Sequence, residues 1–481
     1  RKKKKGGGKG KGDAEESDDG EGGQKRQKTA EDKMARNNIW REEGEWELKN
    51  ESYEAYYERQ QVCPKEEWPL LLQALRTGLP VAIRVNRMRA GSQALVERLE
   101  EMRSACGADP ARELYAPKQL TWYPHKLGWM WSGLERRAIK KDRKNAQLKA
   151  YLMHRERSGL ISRQEAVSMI PPLFMSLEPH HLVLDLCAAP GSKTSQMLEI
   201  MHWAQCADGG APPSGLVLAN ELQWKRANML AHQVQRLGSP CAAVVNIDAQ
   251  FFPELWVKSK EGTPEPLRFD RVLCDVPCSG DGTMRKTPFI WRSWTLKDGL
   301  SLHVRQLGIL NRGLDLLKVG GRLVYSTCSL NPMEDESVVA AALLRHGSAL
   351  ALLPPPELPP GMKTANGVDT WLVPNPEGGG VFFETYEEVP KEVREGKCKL
   401  LPSMFPPSLT GENSEAAKEI RQAVKSHCRR MLPHLMDTGG FFVAVLEKRA
   451  ELRPSARARR EAVSKEVKER QAQKKVDEAA P

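Results

Sequence analysis

No two of the ten cysteines have C-x-x-C spacing, and no cysteine–histidine cluster has the spacing of a zinc site. Thiols scattered at 63, 106, 187, 206, 241, 274, 278, 328, 398 and 428 read as reduced, so neither a disulfide scaffold nor a structural metal is expected. Long apolar runs are missing as well. The longest are Val338–Leu344 and Phe441–Leu446, well short of the roughly 20 residues a membrane helix needs. The opening RKKKKGGGKG has no apolar stretch behind it, so it is not read as a secretory signal. The first residue is Arg rather than Met, as expected of a processed or trimmed chain.

What is present in excess is positive charge, 73 Lys+Arg against 62 Asp+Glu, net +11 over 481 residues. Residues 1–33 carry 11 basic and 8 acidic groups, and residues 448–481 carry 11 basic and 6 acidic. Most of the excess therefore lies in the tails. Such tails read either as solvated, disordered chain or as elements for nuclear import and non-specific RNA attraction.

Four regions follow from composition and periodicity: a charged tail (1–33), an N-terminal RNA-binding region (34–157), a larger strand–helix region (158–450) with an insertion at about 350–440, and a basic tail (451–481), disordered or helical. Trp40 to Lys65 mixes aromatics with charge and predicts helix. Leu79–Val85 (LPVAIRV) predicts a strand and Ser92–Arg103 an amphipathic helix. Leu134–Arg157 holds nine basic and three acidic residues and follows Trp122, Tyr123, Trp129 and Trp131. Cations for phosphates beside aromatics for stacking would make an RNA face. An exposed helix over a Trp-bearing core is the alternative. Ser162-Arg163-Gln164-Glu165 fits a capping box, with Pro171 closing the helix it opens.

From residue 181 strand and helix patterns alternate. Strands are predicted at His181–Leu186, Leu216–Ala219, Ala242–Ile247, Arg271–Cys274, Arg322–Ser326 and Phe441–Leu446. Leu300, Val304, Leu307, Leu310, Leu314 and Leu317 mark a helix buried on one face, ended by Gly320-Gly321. The alternation predicts an α/β fold, a doubly wound parallel sheet with helices on both faces. Ligands of such sheets sit at the carboxyl ends of the strands.

Those ends carry distinctive residues. The first, Cys187-Ala188-Ala189-Pro190-Gly191-Ser192-Lys193-Thr194, is a turn of small residues opening a helix. It is neither G-x-G-x-x-G nor a phosphate-binding P-loop. The second offers Glu221, a carboxylate able to accept two ribose hydroxyls, and the third Asp248, placed to meet an adenine. Each acid could instead be a helix cap or a surface charge. Gly turn, acid and acid in succession favour a nucleoside cofactor such as S-adenosylmethionine. The fourth and fifth ends read CDVPCSGDG and STCSL, directing Cys278 and Cys328 toward one cleft. Cytosine C5 methylation needs a thiol: a thiolate adding to C6 makes C5 nucleophilic, and a base must then remove the C5 proton. Pattern alone leaves open which cysteine attacks. The target base must be flipped or unpaired.

CAAPGSKT, DVPCSGDGT and YSTCSLNPMEDE together resemble the RNA cytosine-5 methyltransferases of the NOL/NOP/Sun (RsmB-like) family, over about residues 38–448. ISRQEAVSMIPP, MFPP and TGGFFVAVLEK point to its eukaryotic tRNA branch. The resemblance implies a Rossmann-like S-adenosylmethionine-dependent domain in which Cys328 is the nucleophile and Cys278 assists product release. It implies that Asp275 holds the cytosine ring and that Lys193 lies beside it. The cofactor contacts would be Cys187 through Lys193, Glu221 (where close relatives usually carry Asp), Asp248 and Asp275. It further implies structured RNA, here tRNA, as partner, and a nuclear or nucleolar address with a cytoplasmic share. A monomer without metal or membrane attachment is expected. The alternatives are a ribosomal-RNA cytosine-5 methyltransferase and an RNA-binding scaffold with weak catalysis.

Overall fold

The computed structural model describes residues 47–106, 116–135, 146–206, 212–259, 261–396 and 398–452. Both charged tails, and Arg136, Arg137, Lys140, Lys141, Arg143 and Lys144 of the basic stretch, lie outside the described residues. The described residues from 49 onward belong to one compact unit, and residues 47 and 48 to another.

Among the described residues of Trp40–Lys65, Glu51–Gln60 form helix α1, where the Asn50 side chain accepts from Tyr53 N. Its Tyr53, Tyr56 and Tyr57 are buried, and Tyr53 packs on Trp291 and Trp294. A four-stranded antiparallel sheet follows, built from β1 (Pro80–Val85), β2 (Lys118–Gln119), β3 (Gly128–Glu135) and β4 (Ile161–Arg163), in the order β2-β3-β1-β4. Helices α2 (Ser92–Cys106) and α3 (Ala146–Arg157) accompany it.

Two expectations fail here. Trp129 and Trp131 are fully buried, and Trp122 and Tyr123 nearly so, which leaves no ring face for a base. Trp129 and Trp131 pack in the core of this sheet, Trp122 and Tyr123 in the core it shares with residues such as Val183 and Met197, so the Trp-bearing core is what the structure shows. The capping box at Ser162 is likewise absent. Ser162 pairs with Arg84 in the sheet, because cross-strand pairing overrides the local cap signal. Pro171 lies in the first turn of the short helix Ile170–Phe174 and starts it instead of stopping one. Since β4 reaches Arg163, this sheet extends past residue 157.

The main sheet has nine strands. Five are parallel: β5 (Leu182–Asp185), β6 (Leu216–Asn220), β7 (Ala242–Val245), β8 (Phe269–Asp275) and β9 (Leu317–Thr327), in the spatial order β9-β8-β5-β6-β7. Beyond β9 the sheet turns antiparallel, through β13 (Phe441–Lys448), β12 (Arg429–Met431) and β11 (Ala365–Asn366), while β10 (Leu350–Leu353) also pairs with β13. The sheet is thus mixed rather than wholly parallel. The 350–440 segment supplies edge strands and core residues such as Trp371, Phe383 and Met404.

The connecting helices include α4 (Ser192–Cys206), α5 (Trp224–Gln235), α6 (Leu296–Leu316) and α7 (Glu336–His346). Helix α6 buries Leu300, Leu310 and Leu314 as read, but Val304 is exposed and His303 takes a place on the inner face. It ends at Leu316, and Gly320-Gly321 fall inside β9 because the strand pairing begins at Leu317. Chain order reverses between β5 and β8, which places the crevice of the sheet at their carboxyl ends. Among the described residues no helix is long and apolar enough to cross a membrane.

Candidate active site

From β5 the chain turns through Leu186–Gly191 into α4. Gly191 has φ +104, and a Cβ there would lie 2.9 Å from Leu230 Cδ1, so this turn requires glycine. Thr194 Oγ1 donates to Asp185 Oδ2 at 2.7 Å, and burial pushes the Asp185 carboxyl up to about 7. Asp185 Oδ1 is buried without a hydrogen-bond partner among the described residues. The small side chains from Cys187 to Ser192 leave Cys187, Pro190 and Ser192 partly open.

Strand β6 delivers Asn220 and Glu221. Asn220 Nδ2 donates to Leu186 O and Ile247 O, both at 2.9 Å, and Ile247 N donates to Asn220 Oδ1 at 3.0 Å. One amide at the end of β6 thus fixes the loops after β5 and β7. Glu221, 4% exposed, accepts from Gln223 N at 2.9 Å. Its Oε2 lies 3.5 Å from Arg226 Nη1, and Arg226 Nη2 donates to Ala189 O at 2.6 Å. Asp248 caps the turn Ala249–Phe251, its Oδ1 accepting from Gln250 N at 3.0 Å, so that oxygen does the local capping job. The cradle of small residues and the Glu221 carboxylate fit the donor set a nucleoside cofactor requires.

At the reversal, Asp275 of β8 lies in register with Ser326 of β9. Asp275 Oδ1 accepts from Ser326 Oγ at 2.8 Å and Oδ2 from Lys193 Nζ at 2.7 Å. Burial works against the Lys193 ammonium, but the charge and hydrogen bond of Asp275, with Cys328 and Asp185 behind them, hold its pKa above the ordinary lysine value. Lys193 Nζ also sits 5.3 Å from the centroid of the Phe441 ring. Just past the strand ends, Cys278 Sγ and Cys328 Sγ approach to 3.2 Å as free thiols, both half-buried. The hydrogen bond with Cys328, then burial, push the Cys278 thiol well up.

Lys193, Asp275, Cys278 and Cys328 therefore meet at one crevice, with the Cys187–Ser192 loop beside it. Several supporting residues were given no role in the sequence. Asn220, Arg226, Ser326 and Phe441 act through contacts between distant segments, and only the fold brings them to the strand ends. Asp281 belongs to the quoted DVPCSGDGT motif without a role of its own there. It is fully buried and accepts from Tyr57 OH and from Leu330 N (2.8 Å), tying α1 to both cysteine loops. A set of possible metal ligands overlooked in the sequence, Glu178, His180 and His181, lies at the amino end of β5, away from the crevice. There His181 Nδ1 already accepts from Glu178 N at 2.9 Å.

Comparison with known proteins gives the chain its relatives. Residues 172–386 match the family model described as 16S rRNA methyltransferase RsmB/F. A Saccharomyces cerevisiae "multisite-specific tRNA:(cytosine-C(5))-methyltransferase" is 41% identical over 83% of this chain and 55% of its own length. The Schizosaccharomyces pombe protein of that name, trm4b, is 37% identical over 95% of this chain and 68% of its own. A Drosophila melanogaster "tRNA (cytosine(34)-C(5))-methyltransferase" is 41% identical over 82% of this chain and 52% of its own. The chain thus spans about half the length of two of these relatives. Among solved structures, a methyltransferase homologue from Pyrococcus horikoshii matches with TM-score 0.50 and 25% identity over 81% of this chain and 93% of that one. NSun6 from Pyrococcus horikoshii, determined with SFG, shares the fold at TM-score 0.53 and 17% identity, over 84% of this chain and 99% of that one. With a relative that similar over two thirds of its length, and the thiol pair at the carboxyl ends of β8 and β9, the chain belongs to the RsmB/F (NOL/NOP/Sun) family of RNA methyltransferases.

Proposed function

We propose that the chain methylates cytosine C5 in tRNA with S-adenosylmethionine as methyl donor. The observation that carries this is the pair of free sulfurs 3.2 Å apart beside the Lys193–Asp275 ion pair. The Cys187–Ser192 loop, Glu221 and Asp248 would hold the cofactor, which supplies a sulfonium methyl group to C5 when bound. Cys328 adds to C6 as the thiolate, the form in which it later leaves, and the C5=C6 electrons move toward C5. Asp275 holds the ring, while the Lys193 ammonium offsets charge developing on it. Removal of the C5 proton then falls to Cys278, which first gives its own proton to solvent. Its thiolate then takes the C5 proton. Those C–H electrons restore C5=C6, and the C6–S pair returns to Cys328. One proton is released per methyl transferred.

Relatives carrying tRNA names match over more than four fifths of this chain, whereas a Shewanella amazonensis "ribosomal RNA small subunit methyltransferase F" matches 40% of it. That favours tRNA over ribosomal RNA. Two retained thiols, of no use to a scaffold, favour catalysis. A monomer acting without a bound metal is part of this proposal. The basic tails support a nuclear address. Cys328→Ala should abolish methylation while tRNA binding persists, and Cys278→Ala should accumulate a covalent protein–RNA adduct. Methylation by Cys328→Ala, with no adduct from Cys278→Ala, would show the roles to be misassigned.

A further inference from the structure

The reacting cysteines sit on separate loops, 50 residues apart, and their separation must be set by something beneath them. Each is followed by a serine, Ser279 after Cys278 and Ser329 after Cys328. Both serines converge on one fully buried carboxylate, Glu334. Its Oε1 accepts from Ser279 N at 2.8 Å and from Gln306 Nε2 at 2.9 Å. Its Oε2 accepts from Ser279 Oγ at 2.5 Å and from Ser329 Oγ at 2.7 Å. The serine hydroxyls end 3.2 Å apart, the same separation as the sulfurs. Gln306, tied to Glu334, also donates to Pro277 O at 3.0 Å, immediately before Cys278. Asp281 flanks the other side, its Oδ1 2.9 Å from Ser329 Oγ and sharing that hydroxyl's one proton with Glu334.

We infer that Glu334 is a positioning residue that holds Cys278 against Cys328 and thereby governs release of the methylated product. The inference rests on the two-cysteine chemistry proposed above. Addition to C6 needs only Cys328. Release needs both sulfurs: the C5 proton passes to Cys278, its bonding pair becomes C5=C6, and the C6–S pair returns to Cys328. Loosening the clamp therefore obstructs release and spares addition. Burial, then the Asp281 charge, push the Glu334 carboxyl up to about 7, so this site is held at an electrostatic cost. A group that served stability alone would leave a weaker or unfolded enzyme when altered. A clamp leaves an enzyme stalled on its RNA.

The test compares Glu334→Gln, Ser279→Ala and Cys278→Ala in the full chain, with an unmodified tRNA transcript and S-adenosylmethionine. Denaturing electrophoresis measures the adduct, and methyl incorporation measures both the first and the repeated turnovers. Glu334→Gln keeps the side-chain shape but turns one acceptor into a donor facing the serines. It should retain first-turnover methylation within about threefold, lose at least about tenfold in repeated turnover, and accumulate adduct at least about tenfold over the unaltered protein. Ser279→Ala, which keeps the backbone N–H and removes one hydroxyl, should show the same pattern more weakly, and it decides the matter if Glu334→Gln does not fold. Normal turnover in both variants, or lost methylation without adduct, overturns the clamp if Cys278→Ala still traps RNA. If Cys278→Ala traps none, the two-cysteine reading fails and the clamp fails with it.

Discussion

At the scale of residues, the crevice depends on side chains that touch no reacting atom. Ser326 is the clearest. It is fully buried and supplies one of the two hydrogen bonds that orient Asp275, the other coming from Lys193. A hydrogen bond to a charged group contributes about 1.5–3 kcal/mol. Ser326→Ala should therefore lower kcat by roughly tenfold to a hundredfold, if that whole contribution is realised in the transition state. The tRNA KM should hold within about twofold and no adduct should accumulate, because Asp275 acts before release. Steady-state kinetics with an adduct assay checks this, and an unchanged kcat would show that Lys193 alone orients Asp275. Neither Ser326 nor Glu334 could be assigned a role in the sequence, because their partners lie 51 and 55 residues away. Cys278 and Cys328 were legible as a pair because both stand at strand ends, where the fold concentrates chemistry, whereas Lys193 and Asp275 were implied by the family resemblance.

At the scale of elements, alternation of strand and helix was readable where burial fixes the pattern, as in β5, β6 and β8. It was misread where distant pairing decides, as at Ser162 and Gly320-Gly321. Strand β1 shows the limit well. LPVAIRV looks like an apolar strand, yet all six residues of β1 are buried, Arg84 included. Arg84 Nη1 pairs with Glu199 of α4, and its other nitrogens lie within reach of Gln164 Oε1 (3.3 Å) and Ser192 O (3.4 Å). The small sheet is thus pinned to the helix that carries Lys193. Burial pushes the Glu199 carboxyl up to about 7 even beside Arg84, and without Arg84 it must rise further. An acid whose folded pKa exceeds its unfolded one keeps its stability at low pH and loses it as pH climbs through the folded value. Arg84→Met should therefore cost up to about 3–5 kcal/mol near pH 8, where Glu199 must either stay charged without a partner or take up a proton against the solution. The deficit should shrink near pH 6, where Glu199 takes up a proton. Denaturant unfolding of both proteins at the two pH values measures it. An equal deficit at both would mean that Glu199 is not the responding group.

At the scale of the whole molecule, net charge divides unevenly. Residues 134–157 contribute net +6, whereas the rest of 34–447 sums to −3. Burial of Trp122, Tyr123, Trp129 and Trp131 removes the stacking half of the RNA face read from this region and leaves only its cations. Cations alone carry no base preference, and each weakens its hold as salt displaces it from the phosphate. Replacing Arg136, Arg137, Lys140 and Lys141 together with glutamine should weaken tRNA binding to a similar degree for all tRNAs tested. The slope of log affinity against log salt should flatten by roughly 0.7–0.9 for each phosphate no longer neutralised, up to about 3–4 if all four bind phosphate. First-turnover methylation at saturating tRNA should stay unchanged, because Lys193, Asp275 and both cysteines are untouched. Binding isotherms at three salt concentrations settle the point. An unaltered slope would leave these four cations as a solvated surface and shift the RNA contacts elsewhere. Loss of binding to only some tRNAs would instead reveal recognition beyond charge.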